Sequence, residues 1–163
     1  MIVKNINQQI FKMTEIEDFL SQNTCEYLIN FFKENSNFSR AYQKRHCLDI
    51  LDLNYNDTTV DNVINKYKLI RPNQYLKNIE IIFWPVGESH IWHDDTIYYD
   101  FTTITYLNDN YKGGETTVEN YKIKPKTGKI CLFSSHKKHK VDILEEGNRY
   151  VILAWYKDKN DNY

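Results

Sequence analysis

From residue 78 onward the chain breaks into short segments, 78–84, 101–107, 115–119, 129–133, 140–143 and 149–156, each rich in β-branched and aromatic residues and bounded by turn formers. Such runs suit a pleated, half-buried surface and carry no helical period. The first half reads differently. Cys25, Leu28, Ile29 and Phe32 fall at i, i+3, i+4 and i+7, and Val60, Val63, Ile64 and Tyr67 repeat that spacing, which places each set on one stripe of a helix. Ser21, Asn23 or Thr24 can cap the first helix and Asp57 or Thr58 the second, with Pro72 beyond its end. Two helices followed by many short strands predict an α+β fold. Its core is a double-stranded β-helix of jelly-roll or cupin-like type, with both helices of the N-terminal half packed on one outer face.

A length of 163 residues suits a single domain, with helical support over roughly 14–72 and the jelly-roll core over roughly 78–157. Residues 1–20 read as an opening strand or two around Ile10, Phe11 and Met13, leading to Ile16, Phe19 and Leu20. A further strand is expected from Cys47 to Leu53, and Arg40, Lys44 and Arg45 before it read as a solvated loop. Gly113 and Gly114 can supply the positive φ angles of a hairpin turn over 108–114.

A net charge of −1 and a pI near 6.5 exclude a general nucleic-acid or anionic-membrane binder. Cys25, Cys47 and Cys131 are odd in number and form no Cys-x-x-Cys pair, which argues against a disulfide framework or a structural zinc. No apolar run reaches transmembrane length, and the first residues lack a signal-peptide apolar segment. The expectation is a cytoplasmic protein that recognises its partner locally.

Chemistry concentrates at His93-Asp94-Asp95. Side chains alternate along a strand, so His93 and Asp95 share a face and offer an imidazole and a carboxylate together. With a second histidine, His136 or His139, they would form a two-His, one-carboxylate set, which leaves positions open on a non-haem Fe(II) centre. Taken alone, His-x-Asp equally describes a polar strand end whose side chains bond each other. Further on, Arg149 opens the alternation Arg149, Val151, Leu153, Trp155 against Tyr150, Ile152, Ala154, Tyr156. A guanidinium on so apolar a face either snorkels to solvent or meets an anion.

Taken jointly, His93-Asp94-Asp95, Tyr106-Leu107-Asn108-Asp109, Gly113-Gly114-Glu115-Thr116, His139-Lys140-Val141 and Arg149, ten positions after His139, resemble the prolyl 4-hydroxylase-like family of 2-oxoglutarate- and Fe(II)-dependent dioxygenases. Phe19-Leu20-Ser21, Cys25 and Leu28-Ile29 are similar to the opening helix of the same family. The resemblance implies His93, Asp95 and His139, not His136, as catalytic metal ligands. It implies that Arg149 binds the distal carboxylate of 2-oxoglutarate and that Tyr106 adds a hydroxyl donor. Trp84 stands where family members often place a tyrosine near the co-substrate, so a hydroxyl is lost there. His90 takes a position where prolyl hydroxylases commonly have a substrate-contacting tyrosine. Its imidazole is more polar and able to carry charge near neutral pH, but in a regular strand it would face away from His93. Trp155 matches an aromatic position lining the peptide groove.

The implied cofactors are Fe(II), 2-oxoglutarate and O2, with ascorbate as an auxiliary reductant. The implied reaction is hydroxylation of a peptidyl residue, first of all proline, with release of succinate and CO2. Two rival readings remain open at this point: the same chemistry on a small molecule or another side chain, and a non-catalytic jelly-roll sensor or binding module. A binding module needs no full ligand set with Arg149, which weighs against the last.

Overall fold

The computed structural model describes residues 13–52 and 55–159. The apolar stripes become helices α1 (Gln22–Glu34) and α2 (Thr58–Ile70), capped by Ser21, whose hydroxyl accepts from the Thr24 amide, and by Asp57, whose carboxylate accepts from the Val60 amide. Cys25, Leu28 and Phe32, and Val60, Val63, Ile64 and Tyr67, are buried.

Thirteen strands follow the expected alternation among the described residues: β1 (Thr14–Ile16), β2 (Arg40–Tyr42), β3 (Arg45–Asp49), β4 (Gln74–Trp84), β5 (His90–His93), β6 (Phe101–Tyr106), β7 (Lys112–Gly113), β8 (Thr116–Val118), β9 (Tyr121–Lys122), β10 (Ile130–Ser134), β11 (His139–Val141), β12 (Leu144–Glu146) and β13 (Arg149–Asp158). They form a seven-stranded sheet in the order β1-β10-β6-β13-β4-β3-β2, a four-stranded sheet β5-β11-β8-β9, and the small pair β12-β7. Every pairing is antiparallel. The result is the jelly roll that the short strands implied, with the two helices on the outer face of the larger sheet.

Period-two alternation sorts β13 between two cores. Tyr150, Ile152, Ala154 and Tyr156 join the helices in one apolar cluster with Phe19, Leu28, Ile79 and Ile81. Val151 faces the smaller sheet and packs with Ile82, Ile104, Val118, Phe133 and Val141, with Leu153 and Trp155 against them. Hydrogen bonds fasten α2 to the sheet at buried points: the Tyr67 hydroxyl meets the Thr105 hydroxyl, and the Tyr156 hydroxyl donates to the Tyr67 carbonyl at 3.0 Å.

Several expectations change. The strand begins at Arg45, two residues before Cys47, and ends at Asp49; Leu53 lies outside the described residues, as do Ile10 and Phe11. β4 starts four residues earlier than residue 78 because the long β13 supplies partners out to the Asp158–Gln74 pair. Arg40, Lys44 and Arg45 are not a solvated loop but belong to the β2–β3 hairpin, and Arg45 is buried. Gly113 and Gly114 do take positive φ, 71° and 66°, yet they make no hairpin turn. Gly113 pairs with Leu144 across β7 and β12, and a Cβ there would stand 2.3 Å from the Ile143 carbonyl oxygen. Gly113→Ala should therefore lower stability by roughly 2 kcal/mol or more, combining a strained backbone with a clash against rigid main chain; urea unfolding of the two proteins measures it.

Candidate metal centre and co-substrate cavity

The two sheets enclose a cavity of about 280 Å³ whose lining includes His93, Asp95, His139 and Arg149. His139 on β11 is the direct cross-strand partner of His93 on β5, which brings the ring centroids to 4.1 Å. Asp95 lies past the end of β5, and its amide donates to the Ser135 carbonyl at 3.0 Å. The His93 Nε2 to Asp95 Oδ1 distance is 3.7 Å and the His139 Nε2 to Asp95 Oδ2 distance is 3.6 Å. One ligand atom from each residue falls within 4.8 Å of the other two.

Each element of this cluster is aimed. The Nδ1 atoms of His93 and His139 face the carbonyls of Ile91 at 2.8 Å and Lys137 at 3.0 Å. That bond places the proton on Nδ1 and leaves the Nε2 lone pair free for a metal. Burial lowers the pKa of His139, opposed by the neighbouring Asp95, so the neutral, ligating form persists to lower pH than for an exposed histidine. Asp95 is held through Oδ2, which accepts from the Thr102 hydroxyl at 2.9 Å and from the Trp155 indole N–H at 3.0 Å. Thr102 is in turn 2.8 Å from the Ser135 hydroxyl. Trp155, expected along a peptide groove, thus turns its N–H to the carboxylate, while Tyr99 stacks on its ring at 5.5 Å. His136 is exposed in the turn between β10 and β11 and stands apart from the cluster.

Deeper in the fold, Arg149 is fully buried, yet no carboxylate pairs with it among the described residues. Its Nη2 donates to Thr116 at 3.0 Å, whereas Nε and Nη1 have no acceptor. The guanidinium lies 4.7 Å from the Trp84 ring centroid and 5.8 Å from that of Tyr106. Gly114 makes room for it: a Cβ there would come within 3.2 Å of Arg149 Cδ. The Trp84 indole N–H and the Tyr106 hydroxyl are buried without a completed hydrogen bond. Burial pushes the Tyr106 hydroxyl far above the ordinary phenol range, so it serves as a neutral donor. Four orphaned donors around a buried cation make a slot for a small carboxylate.

His90 departs from the expectation that it faces away from His93. The register between β5 and β11 slips, so that His139 and Val141, two apart, oppose His93 and His90, three apart. The bulge carries the extra residue and turns both histidines inward, with ring centroids 4.0 Å apart. His90 also does not carry charge near neutral pH. Burial, then the adjacent His93 and Arg45, lowers its pKa to about 4.

Sequence reasoning missed Thr102, Ser135 and Arg45. Thr102 sits in the Thr-rich, wholly buried strand β6, where a hydroxyl on an inward position is a usable sign of a polar task; Ser135 and Arg45 carry no comparable local signal.

A double-stranded β-helix that gathers two imidazoles and a carboxylate beside an empty-handed buried arginine has the architecture of a non-haem metal oxygenase. Residues 79–157 match the family model of the 2OG-Fe(II) oxygenase superfamily. That stretch covers 79 of the 163 residues, and over it the chain is similar to oxygenases that use 2-oxoglutarate and Fe(II). Solved structures share the fold. The viral collagen prolyl hydroxylase of Paramecium bursaria Chlorella virus-1 in complex with 2OG superposes with a TM-score of 0.71 at 19% identity, covering 90% of this chain and 95% of the other. A Pseudomonas putida prolyl-4-hydroxylase gives 0.76 at 12% identity, covering 95% and 97%. An oxidoreductase of the 2OG-Fe(II) oxygenase family from Burkholderia pseudomallei gives 0.72 at 12%, covering 94% and 87%. No curated protein sequence matches the chain. Among the described residues, no helix is long and apolar enough to cross a membrane.

Proposed function

We propose that this protein is an Fe(II)- and 2-oxoglutarate-dependent dioxygenase that hydroxylates a peptidyl residue, with proline the preferred target. One observation carries the reading: two imidazoles whose Nδ1 sides are tied to carbonyls converge with a carboxylate, in the same cavity as a buried guanidinium that has no acid of its own. His93, Asp95 and His139 hold the metal. Arg149 takes the distal carboxylate of 2-oxoglutarate through its unpartnered Nε and Nη1, and Tyr106 donates its neutral hydroxyl to the same group. Trp84 packs beneath the guanidinium.

Iron held by His93, Asp95 and His139 would supply the oxidative decarboxylation of 2-oxoglutarate by O2 to succinate and CO2, coupled to hydroxylation of a substrate C–H bond. Trp155 and Thr102 keep Asp95 oriented as charge changes beside it. Apolar Ile82, Ile104, Phe133, Val141 and Val151 line one part of the cavity and limit water there.

The proline preference rests on the sequence frame and on relatives of the same fold that are prolyl hydroxylases. A proline segment is already extended and costs little to order. Incubating peptide libraries with the protein, Fe(II), 2-oxoglutarate and O2 should add one oxygen to a proline within a flexible peptide, with less turnover of free proline. Mass spectrometry reads the site. Oxidation confined to other residues, or turnover of small molecules alone, would replace this assignment of the substrate.

A further inference from the structure

A second buried guanidinium lines the same cavity. Arg45 is 6% exposed, and it stands one residue before the His46–Phe83 pair of β3 and β4, while Arg149 is opposite Trp84 across β4 and β13. Two cations therefore approach one indole, Arg45 at 4.3 Å and Arg149 at 4.7 Å from its centroid. Among the described residues the side-chain partners of Arg45 are neutral: Nη2 donates to Gln43 Oε1 at 3.0 Å and to His90 Nδ1 at 3.1 Å, the Tyr42 ring lies 4.6 Å away, and Nε has no partner. Glu88 acts on its charge, yet both Glu88 oxygens are engaged by backbone amides, those of Lys44 at 2.7 Å and Ser89 at 3.0 Å. Its neighbour Arg40, by contrast, has Glu80 at 3.1 Å. A buried cation without an acid is costly unless an anion arrives.

We propose that Arg45 is a specificity-determining residue that receives a carboxylate of the substrate, on the oxidised residue or an immediate neighbour. The assignment rests on the oxygenase reading above, in which Arg149 takes the distal carboxylate of the co-substrate and Arg45 is left for a separate anion. Position supports it. His90 touches Arg45 on one side and the ring of the metal ligand His93 on the other, so the anion site lies a single imidazole from the reacting centre. A guanidinium recognises a carboxylate through two parallel N–H bonds, and Arg45 keeps Nε available for one of them.

The test is equilibrium binding, by calorimetry, to protein loaded with Zn(II) and 2-oxoglutarate. The probes are matched pairs: acetyl-Gly-Pro-Glu-amide against its Gln analogue, acetyl-Gly-Pro with a free against an amidated C-terminus, and L-proline against L-prolinamide. At least one carboxylate member should bind about tenfold or more tightly than its amide partner, and the pair that does so identifies a side-chain, C-terminal or free amino-acid source. The preference should vanish in Arg45→Gln and survive in part in Arg45→Lys, while both variants bind 2-oxoglutarate as the parent does. The proposal is overturned if no pair is distinguished by the parent, if the preference outlives Arg45→Gln, or if Arg45→Gln raises the 2-oxoglutarate requirement. Loss of 2-oxoglutarate binding by the parent would instead overturn the oxygenase reading, and the carboxylate–amide comparison on unloaded protein still reports on Arg45.

Discussion

His139→Ala, like His93→Ala and Asp95→Ala, is expected to weaken Fe(II) binding by at least about a hundredfold and to abolish 2-oxoglutarate turnover, since even losing a group that merely orients a ligand costs ten- to a hundredfold. His136→Ala should bind metal within about twofold of the parent. The contrast follows from where the two residues sit: His139 is buried and paired with His93 across β5 and β11, and His136 is exposed in the preceding turn. Anaerobic Fe(II) titration, followed by the weak visible band that appears on adding 2-oxoglutarate, measures both. Loss of metal in His136→Ala with retention in His139→Ala would reverse the ligand assignment.

Arg149→Gln should leave Fe(II) affinity near that of the parent while raising the 2-oxoglutarate requirement roughly a hundredfold, because a buried carboxylate that loses a charged, two-pronged partner forfeits about 2–5 kcal/mol. Arg149→Lys should fall between, keeping the charge but not the fork. A second readout needs no turnover. The parent should gain thermal stability from 2-oxoglutarate as the logarithm of one plus the ratio of its concentration to its dissociation constant, and Arg149→Gln should gain little. Since Arg149 carries two unsatisfied nitrogens in a fully buried site, the variant without ligand should be about as stable as the parent. An unchanged co-substrate requirement would remove Arg149 from the site.

Much of this architecture was legible because it is encoded in local periods. The i, i+3, i+4, i+7 stripes around Leu28 and Val63 became buried helix faces, and the alternation from Arg149 to Trp155 sorted one strand between two cores. His93 and Asp95 could be paired by spacing alone, and His139 by its place in the motif. His90 marks the limit of such reasoning. Strict alternation turned it away from His93, and only the slip in register opposite β11 brings it back. Its neutrality near pH 7 likewise arises from burial beside His93 and Arg45, which no residue type announces.

By itself, then, the sequence determined the helix faces and most strand faces and placed the candidate residues His93, Asp95, His139 and Arg149 in one motif, since periodicity depends on neighbours a few residues away. Tertiary structure alone decided what meets across the sheets: Thr102 and Trp155 on Asp95, Ser135 behind Thr102, and Arg45 beside Trp84 and His90. Those contacts join residues tens of positions apart through pairing register and a bulge. Register is settled by the sum of many cross-strand fits, so no single segment of the chain carries the information.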